Sequence, residues 1–308
     1  MLHIFVMRSF SCQFWCAVSK FFTNFAPAMT NRPSTQTLYV SDMDGTLMGA
    51  DSRVSARSVR ILNELLDHRG LQFTVATART TATVVPLLSD VHATLPMIVL
   101  SGAVLWHPVE RRLTDAHAID AQAVRQVCSI CERHGVHPMV YRQHGNVIHT
   151  HHCGQLADYE RQFVDARAHT PYKRFLLDDA DYATHVAPAL LIFAMLKGDA
   201  LGRVYADIRG QVDCSPILYH DNTDTELALL EVYAPGCSKA SAMTRLARQL
   251  QVERVVAFGD NLNDIAMLQA ADHAVAVANA VPEVRELADE VIGRNIDDSV
   301  ALYLQRNA

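Results

Sequence analysis

Leu38-Tyr39-Val40 is an unbroken apolar run, and beyond it Val59, Ile61, Leu62, Leu65 and Leu66 fall on one face of a helix. Ser55 is placed to cap that helix and Gly70 to end it after His68. Leu71 to Ala76 then reads as a buried strand, a second helix starts near Thr80, and Met97 to Leu100 gives a third strand. Short apolar strands alternating with amphipathic helices specify a parallel α/β sheet. Such sheets bind ligands at the carboxyl ends of their strands.

The rhythm changes near residue 117. A helix from Asp120 to His134 leads into two runs that read as a hairpin around Gly145, Val136 to Arg142 and Asn146 to His152. Another helix follows, then a strand at Ala189 to Leu196, a helix from Asp199, and strands at Val212 to Tyr219 and Leu227 to Tyr233. The α/β alternation resumes with a helix from Ser238, strand Arg254 to Phe258, a helix from Leu262, strand Ala274 to Val277 and a closing helix. One domain inserted into another explains this order: residues 37–116 and 234–308 form the core, and 117–233 the insert.

Residues 1–36 stand apart. Met1 to Ala28 is rich in Phe, Val, Cys and Trp, yet Arg8 and Lys20 interrupt it. Ala26-Pro27-Ala28 loosely resembles a signal-peptidase site, but the broken apolar region fits one poorly. The simpler reading is a dispensable extension, with Met29 as the working first residue. The whole chain has 308 residues, enough for two domains, and its charge of −6 argues against a nucleic-acid surface. Seven irregularly spaced cysteines make no disulfide framework and suit a reducing cytoplasm. No apolar stretch approaches the ~18 residues of a membrane span. The oligomeric state is open.

The chemistry is concentrated in Asp42-Met43-Asp44-Gly45-Thr46-Leu47, at the exit of the first strand. Two carboxylates two residues apart suit phosphoryl transfer: Asp42 can attack phosphorus and help hold a metal, while Asp44 moves a proton and offers its carbonyl to the same ion. Gly45 frees the backbone to turn sharply. A bare Asp-x-Asp-Gly also spells a surface turn, so the other strand ends matter. They carry Thr77-Ala78-Arg79, Ser101-Gly102-Ala103, Gly236-Cys237-Ser238-Lys239 and Gly259-Asp260-Asn261-Leu262-Asn263-Asp264.

DMDGTL, ATAR, GCSK and GDNLND, in that order, resemble the four motifs of the haloacid dehalogenase-like hydrolases, and of the Cof-type phosphatases in particular. The resemblance implies a Rossmann-like core with a C2-type α+β cap, and a Mg²⁺-dependent phosphatase acting on a small phosphorylated metabolite. Sugar phosphates lead, with flavin mononucleotide or pyridoxal phosphate behind them. It makes Asp42 the nucleophile, Asp44 the acid and then base, Thr77 a phosphoryl hydrogen-bond donor and Lys239 the charge neutraliser. Mg²⁺ would sit among Asp42, the Asp44 carbonyl and Asp260, with Asp264 close by, while Asn263 would orient Lys239 or Asp260. Ser101 and Gly102 would touch substrate or phosphate. Ala78, Ala240 and Ser101 depart from the family pattern, which places Gly, Gly and Asn there. The rivals are a phosphotransferase or mutase, and an idle sensor of a phospho-ligand.

Cys128-x-x-Cys131 with His134 and His137 invites a zinc reading, but Val124, Val127, Cys128 and Cys131 follow helical spacing and read as core. His149 and His151 share one face of a strand, with His144, His152 and Cys153 nearby. Exposed alternation, a second metal, or a histidine facing substrate would each account for them.

Overall fold

The computed structural model describes residues 37–221 and 224–308, so the expectations for residues 1–36 lie outside the described residues. The core sheet has the spatial order Glu290–Ile292, His273–Val277, Arg254–Gly259, Thr37–Ser41, Gln72–Val75, with every pairing parallel. Met97–Val99 extends it through the parallel bridge between Ala76 and Ile98. Leu38, Val40, Val256, Ala257, Phe258, Val275 and Val277 are essentially inaccessible to solvent, because helices cover both faces of the sheet.

The helix Ala56–His68 begins where expected, with the Ser55 hydroxyl accepting from the Ser58 N–H. Asp120 likewise caps Ala121–Arg133 by accepting from Gln122 and Ala123. Both caps satisfy amide donors that the first turn leaves free.

The inserted segment builds its own six-stranded sheet, ordered Ser215–His220, Leu227–Tyr233, Ala189–Lys197, Met139–His144, Val147–His151, Lys173–Leu176. All its pairings are antiparallel except the last. Ala121–Arg133 and Ala200–Gln211 pack together against it. Ala189–Lys197 reads as a continuous apolar run because both of its faces are covered: Leu191, Phe193 and Met195 face a cavity, and the alternate residues are buried on the other side. This is the α/β architecture with a mixed-sheet cap.

Three departures from the sequence reading have local causes. The hairpin's first strand starts at Met139 rather than Val136, since the Val136 N–H closes the preceding helix onto Cys131 and Pro138 has no N–H to give a ladder. An antiparallel hairpin, Val104–His107 with Arg112–Thr114, follows the third core strand, and Lys173–Leu176 and Glu290–Ile292 complete the sheets. Each has only three or four residues, too short to show a period. The helix after strand Arg254–Gly259 opens with the 3-10 turn Leu262–Asp264 before Ile265–Ala270.

Cys128 and Cys131 are buried in the helix core, and burial raises both thiols, Cys128 to about 12. His134 is paired with Asp207. The zinc reading of this cluster lacks a donor set, because among the described residues the two thiols, His134 and His137 do not converge as a group. Among the described residues no helix is long and apolar enough to cross a membrane.

Gly102 fixes how the third strand's loop meets the Lys239 helix. Its φ is +100°, and a Cβ there would lie 2.2 Å from the Ser238 carbonyl oxygen. Gly102→Ala is therefore expected to cost about 1–3 kcal/mol from the backbone conformation and the clash together. Thermal unfolding would show it as a Tm drop, whereas an unchanged Tm would mean that the loop moves aside freely.

Candidate active site

The first strand ends at Ser41, opposite Phe258, and the Asp42 N–H donates to the Phe258 carbonyl at 2.9 Å. Parallel pairing thus brings Asp42 and Asp260 out at the same end of neighbouring strands. Gly45 (φ +78°) turns the chain against Asp260, where a Cβ would stand 2.3 Å from Oδ2. The turn is held by the Thr46 hydroxyl, which donates to Asp260 Oδ1 at 2.8 Å, and by Asn279, whose side-chain amide donates to the Gly45 carbonyl at 2.8 Å.

Lys239 occupies the first turn of helix Lys239–Leu250 and is only 4% exposed. Its Nζ lies 2.5 Å from Asp42 Oδ1 and 2.8 Å from Asp264 Oδ1. Asp264 uses its other oxygen to accept from the Asp260 and Asn261 N–H groups, both at 3.1 Å. A cation is disfavoured at a helix N-terminus, so the two carboxylates are what hold it. Burial opposes the ammonium charge, but Asp42 and Asp264 outweigh it and keep Lys239 above the ordinary lysine range.

Asp42, Asp260 and Asp264 can each offer an oxygen within 4.8 Å of the others. Three carboxylates around one ammonium leave excess negative charge in a buried place. Burial pushes Asp42 up to about 7 against the pull of Lys239, and Asp260 up to about 6 against its bond from Thr46. An all-oxygen donor set with unspent negative charge fits a hard divalent cation. Asp42 Oδ2 and Asp260 Oδ2 have no hydrogen-bond donor among the described residues, while both Asp264 oxygens are engaged. Asp264 therefore braces the site more than it offers a free ligand atom.

Asp44 stands one step outward, with its side chain half exposed and held by Arg79 through Nε–Oδ2 at 2.7 Å and Nη2–Oδ1 at 2.6 Å. Thr77 is buried. Its hydroxyl accepts from the Arg79 N–H at 3.1 Å and keeps its own proton free of any acceptor among the described residues. The helix after it has Thr80 at its N-terminal boundary, with no side-chain cap bond.

Ser101 has a positive φ of 52° and takes a long 3.4 Å contact from the Tyr233 hydroxyl, and the Gly102 backbone lies against Ser238. Asn263 is exposed on the Leu262–Asp264 turn and bonds neither Lys239 nor Asp260, whose partners are Asp42, Asp264 and Thr46. Arg79 was legible only as the last letter of a loop motif; its hold on Asp44 comes from the fold.

The family profile described as haloacid dehalogenase-like hydrolase matches residues 39–304. The chain belongs to that family. It is 24% identical over 272 residues to the 5-amino-6-(5-phospho-D-ribitylamino)uracil phosphatase YitU of Bacillus subtilis, covering 87% of this chain and 96% of the relative. It is 27% identical over 282 residues to the pyridoxal phosphate phosphatase YbhA of Escherichia coli, covering 85% and 95%. The fold matches that of a subclass IIB sugar phosphatase with a TM-score of 0.66 at 21% identity, covering 88% of this chain and 98% of that one.

The raised carboxyls give a pH signature with a definite sign. A carboxyl held higher in the folded chain than its usual 3.8 binds its proton more tightly when folded. Its contribution favours folding at low pH and is lost as pH rises through about 6 and about 7. A divalent cation binds the ionised form, so the Tm gained on adding Mg²⁺ to EDTA-treated protein is expected to grow between about pH 5 and about pH 8. A gain independent of pH would contradict this.

Proposed function

We propose that the protein is a Mg²⁺-dependent phosphatase that cleaves a small phosphate monoester whose leaving group carries a planar ring, through an aspartyl-phosphate on Asp42. The enzyme is a phosphoric monoester hydrolase of the haloacid dehalogenase-like type; the metal, the covalent intermediate and the ring are the finer reading. The observation that carries the ring is a cavity of about 760 Å³ that runs from Asp44 and Arg79 to the cap sheet. Tyr141, Tyr159, Phe163, Phe193 and Tyr219 line it, with Leu191, Met195 and Leu229 between them. The aromatic and aliphatic part of the wall suits a flat unsaturated group, while Gln162, Arg167, Asp221, Asp224 and Glu231 on the same cavity offer polar partners to the rest of the molecule. Phosphorylated cofactor-like molecules therefore join the sugar phosphates favoured from the sequence, and lead them in this reading. The names of the two curated relatives point the same way, since one substrate contains a uracil and the other a pyridine ring.

Lys173 supplies the polar counterpart in that wall. It is 3% exposed, lies 4.0 Å from the Tyr141 ring centroid and 4.6 Å from that of Phe175, and makes no hydrogen bond or ion pair among the described residues. Burial, with Arg167 close by, pulls it well below the ordinary lysine range. An amine in that position has a hydrogen bond to give, and an oxygen or nitrogen on the substrate ring would receive it.

Asp42 Oδ1 is held by Lys239, so Oδ2 is the atom that attacks phosphorus as the ester oxygen leaves. Asp44 passes a proton to that oxygen, which requires its two bonds to Arg79 to open as substrate enters. Asp44 then takes a proton from water, which attacks the aspartyl-phosphate and releases inorganic phosphate with Asp42 restored. The Thr77 hydroxyl and Lys239 sit where they can donate to the phosphoryl oxygens. Asp42 and Asp260 would hold Mg²⁺, which supplies positive charge opposite the transferring group.

Phosphate release from pyridoxal phosphate, flavin mononucleotide, sugar phosphates and phenyl phosphate, with Mg²⁺ and with EDTA, tests this. Ring phosphates are expected to lead, and Asp42→Asn to lower kcat at least ~10³-fold. Release only when an acceptor sugar is present would instead indicate a phosphotransferase. Lys173→Met is expected to raise KM about tenfold for a ring phosphate bearing an acceptor, the equivalent of one lost hydrogen bond, while sparing phenyl phosphate. Equal losses on both substrates would show that Lys173 only supports the wall.

A further inference from the structure

His151, Asp179 and His185 form a compact cluster that the phosphatase site does not use. Thr150 pairs with Tyr141, which lines the substrate cavity, so the alternating His149 and His151 project from the opposite face of the cap sheet. His151 Nδ1 and His185 Nε2 both point at the same oxygen, Asp179 Oδ2, at 2.6 and 2.8 Å. Three such donor atoms, within 4.8 Å of one another, are enough for the protein half of a metal site.

The supports are built in as well. Asp179 Oδ1 accepts from the Asp181 N–H at 3.1 Å, and the Asp179 N–H donates to the His152 carbonyl at 3.0 Å, so the carboxylate is oriented from both sides. Arg142 is buried and ties down the segment carrying His185 by donating to the Ala187 carbonyl at 2.7 Å and the Tyr182 carbonyl at 3.2 Å. Partners of this kind fix a ligand's direction before an ion arrives. Side-chain exposure rises from 7% at His151 through 19% at Asp179 to 37% at His185, which gives an ion a way in and leaves room for water on its open side.

The donor set suits coordination. The His151 and His185 rings stand 4.4 Å apart between centroids, so two imidazolium charges would repel each other at close range. Neutral imidazoles and one carboxylate are the donors preferred by borderline transition ions, and not by Mg²⁺.

We propose that His151, Asp179 and His185 bind a divalent transition ion of the Zn²⁺ class, which replaces their shared hydrogen bonds and fastens residues 177–188 to the strand Val147–His151. The site is independent of the phosphatase reading, since its ligands lie across the sheet from the cavity.

The test uses the full chain with Mg²⁺ in excess, so that the carboxylate centre is occupied, and titrates Co²⁺ and Cu²⁺. Imidazole ligation shifts and intensifies the visible d–d bands of Co²⁺ and gives Cu²⁺ nitrogen hyperfine splitting, which an all-oxygen site cannot produce. One nitrogen-ligated ion per chain is expected, together with a higher Tm. Asp179→Asn and His185→Ala should each weaken binding roughly tenfold or more, with phosphate release unchanged as the check on folding. His144→Ala, which alters the neighbouring His144–His149 stack, should leave binding as it is. No nitrogen-ligated ion in the wild type would overturn the proposal and leave a hydrogen-bonded triad. Undiminished affinity in His185→Ala, or loss in His144→Ala alone, would overturn it by placing the ligands elsewhere.

Discussion

Everything at the catalytic end of this molecule is arranged around one buried ammonium, that of Lys239, shared between Asp42 and Asp264. Taking such charges out of water is costly, and the cost is offset only if each finds a partner in good geometry. The fold meets that condition by converging three chain segments. A strand end presents Asp42, a helix start presents Lys239, and the turn after the neighbouring strand presents Asp264 with its second oxygen already bonded to backbone. Removing any one of the three strands a charge, so the arrangement stands or fails as a unit.

The same burial leaves the centre one cation short. Asp42 and Asp260 retain lone pairs without donors and are pushed toward their neutral forms, the condition of a site prepared for a divalent ion. Stability and chemistry pull in opposite directions here, because the carboxylates whose ionisation destabilises the fold are the groups proposed to bind metal and attack phosphorus. Gly45 shows the same economy in the backbone. It occupies a conformation that L side chains resist, in a space Asp260 fills, so that the turn can press against the Asp260 carboxylate.

The cap has a different physical task on each face of one sheet. Toward the core it presents aromatic rings and Lys173, which has no ion pair among the described residues. On the opposite face the His–Asp–His cluster joins a strand to a long excursion of chain. The period-two geometry of a strand is what permits this division, because Thr150 and His151 are neighbours in sequence and face opposite ways.

The sequence by itself determined the alternation of strands and helices, the insertion of a second sheet, the cap at Ser55, and the acidic and lysine groups at the strand ends. These are local facts, readable because apolar period, capping chemistry and motif spacing act over a few residues. Strands of three or four residues, such as Val104–His107 and Lys173–Leu176, carry too little period to be read and exist because a neighbour completes their ladders. Only the tertiary structure decided that Arg79 grips Asp44, that Asn263 faces solvent, that Lys173 meets aromatic rings without a carboxylate, and that His151 finds Asp179 and His185. Arg79 and Asp44 are 35 residues apart and His151 and Asp179 are 28 apart, so these meetings depend on how distant segments come together. That is set by packing and ladder register, quantities that no local pattern encodes.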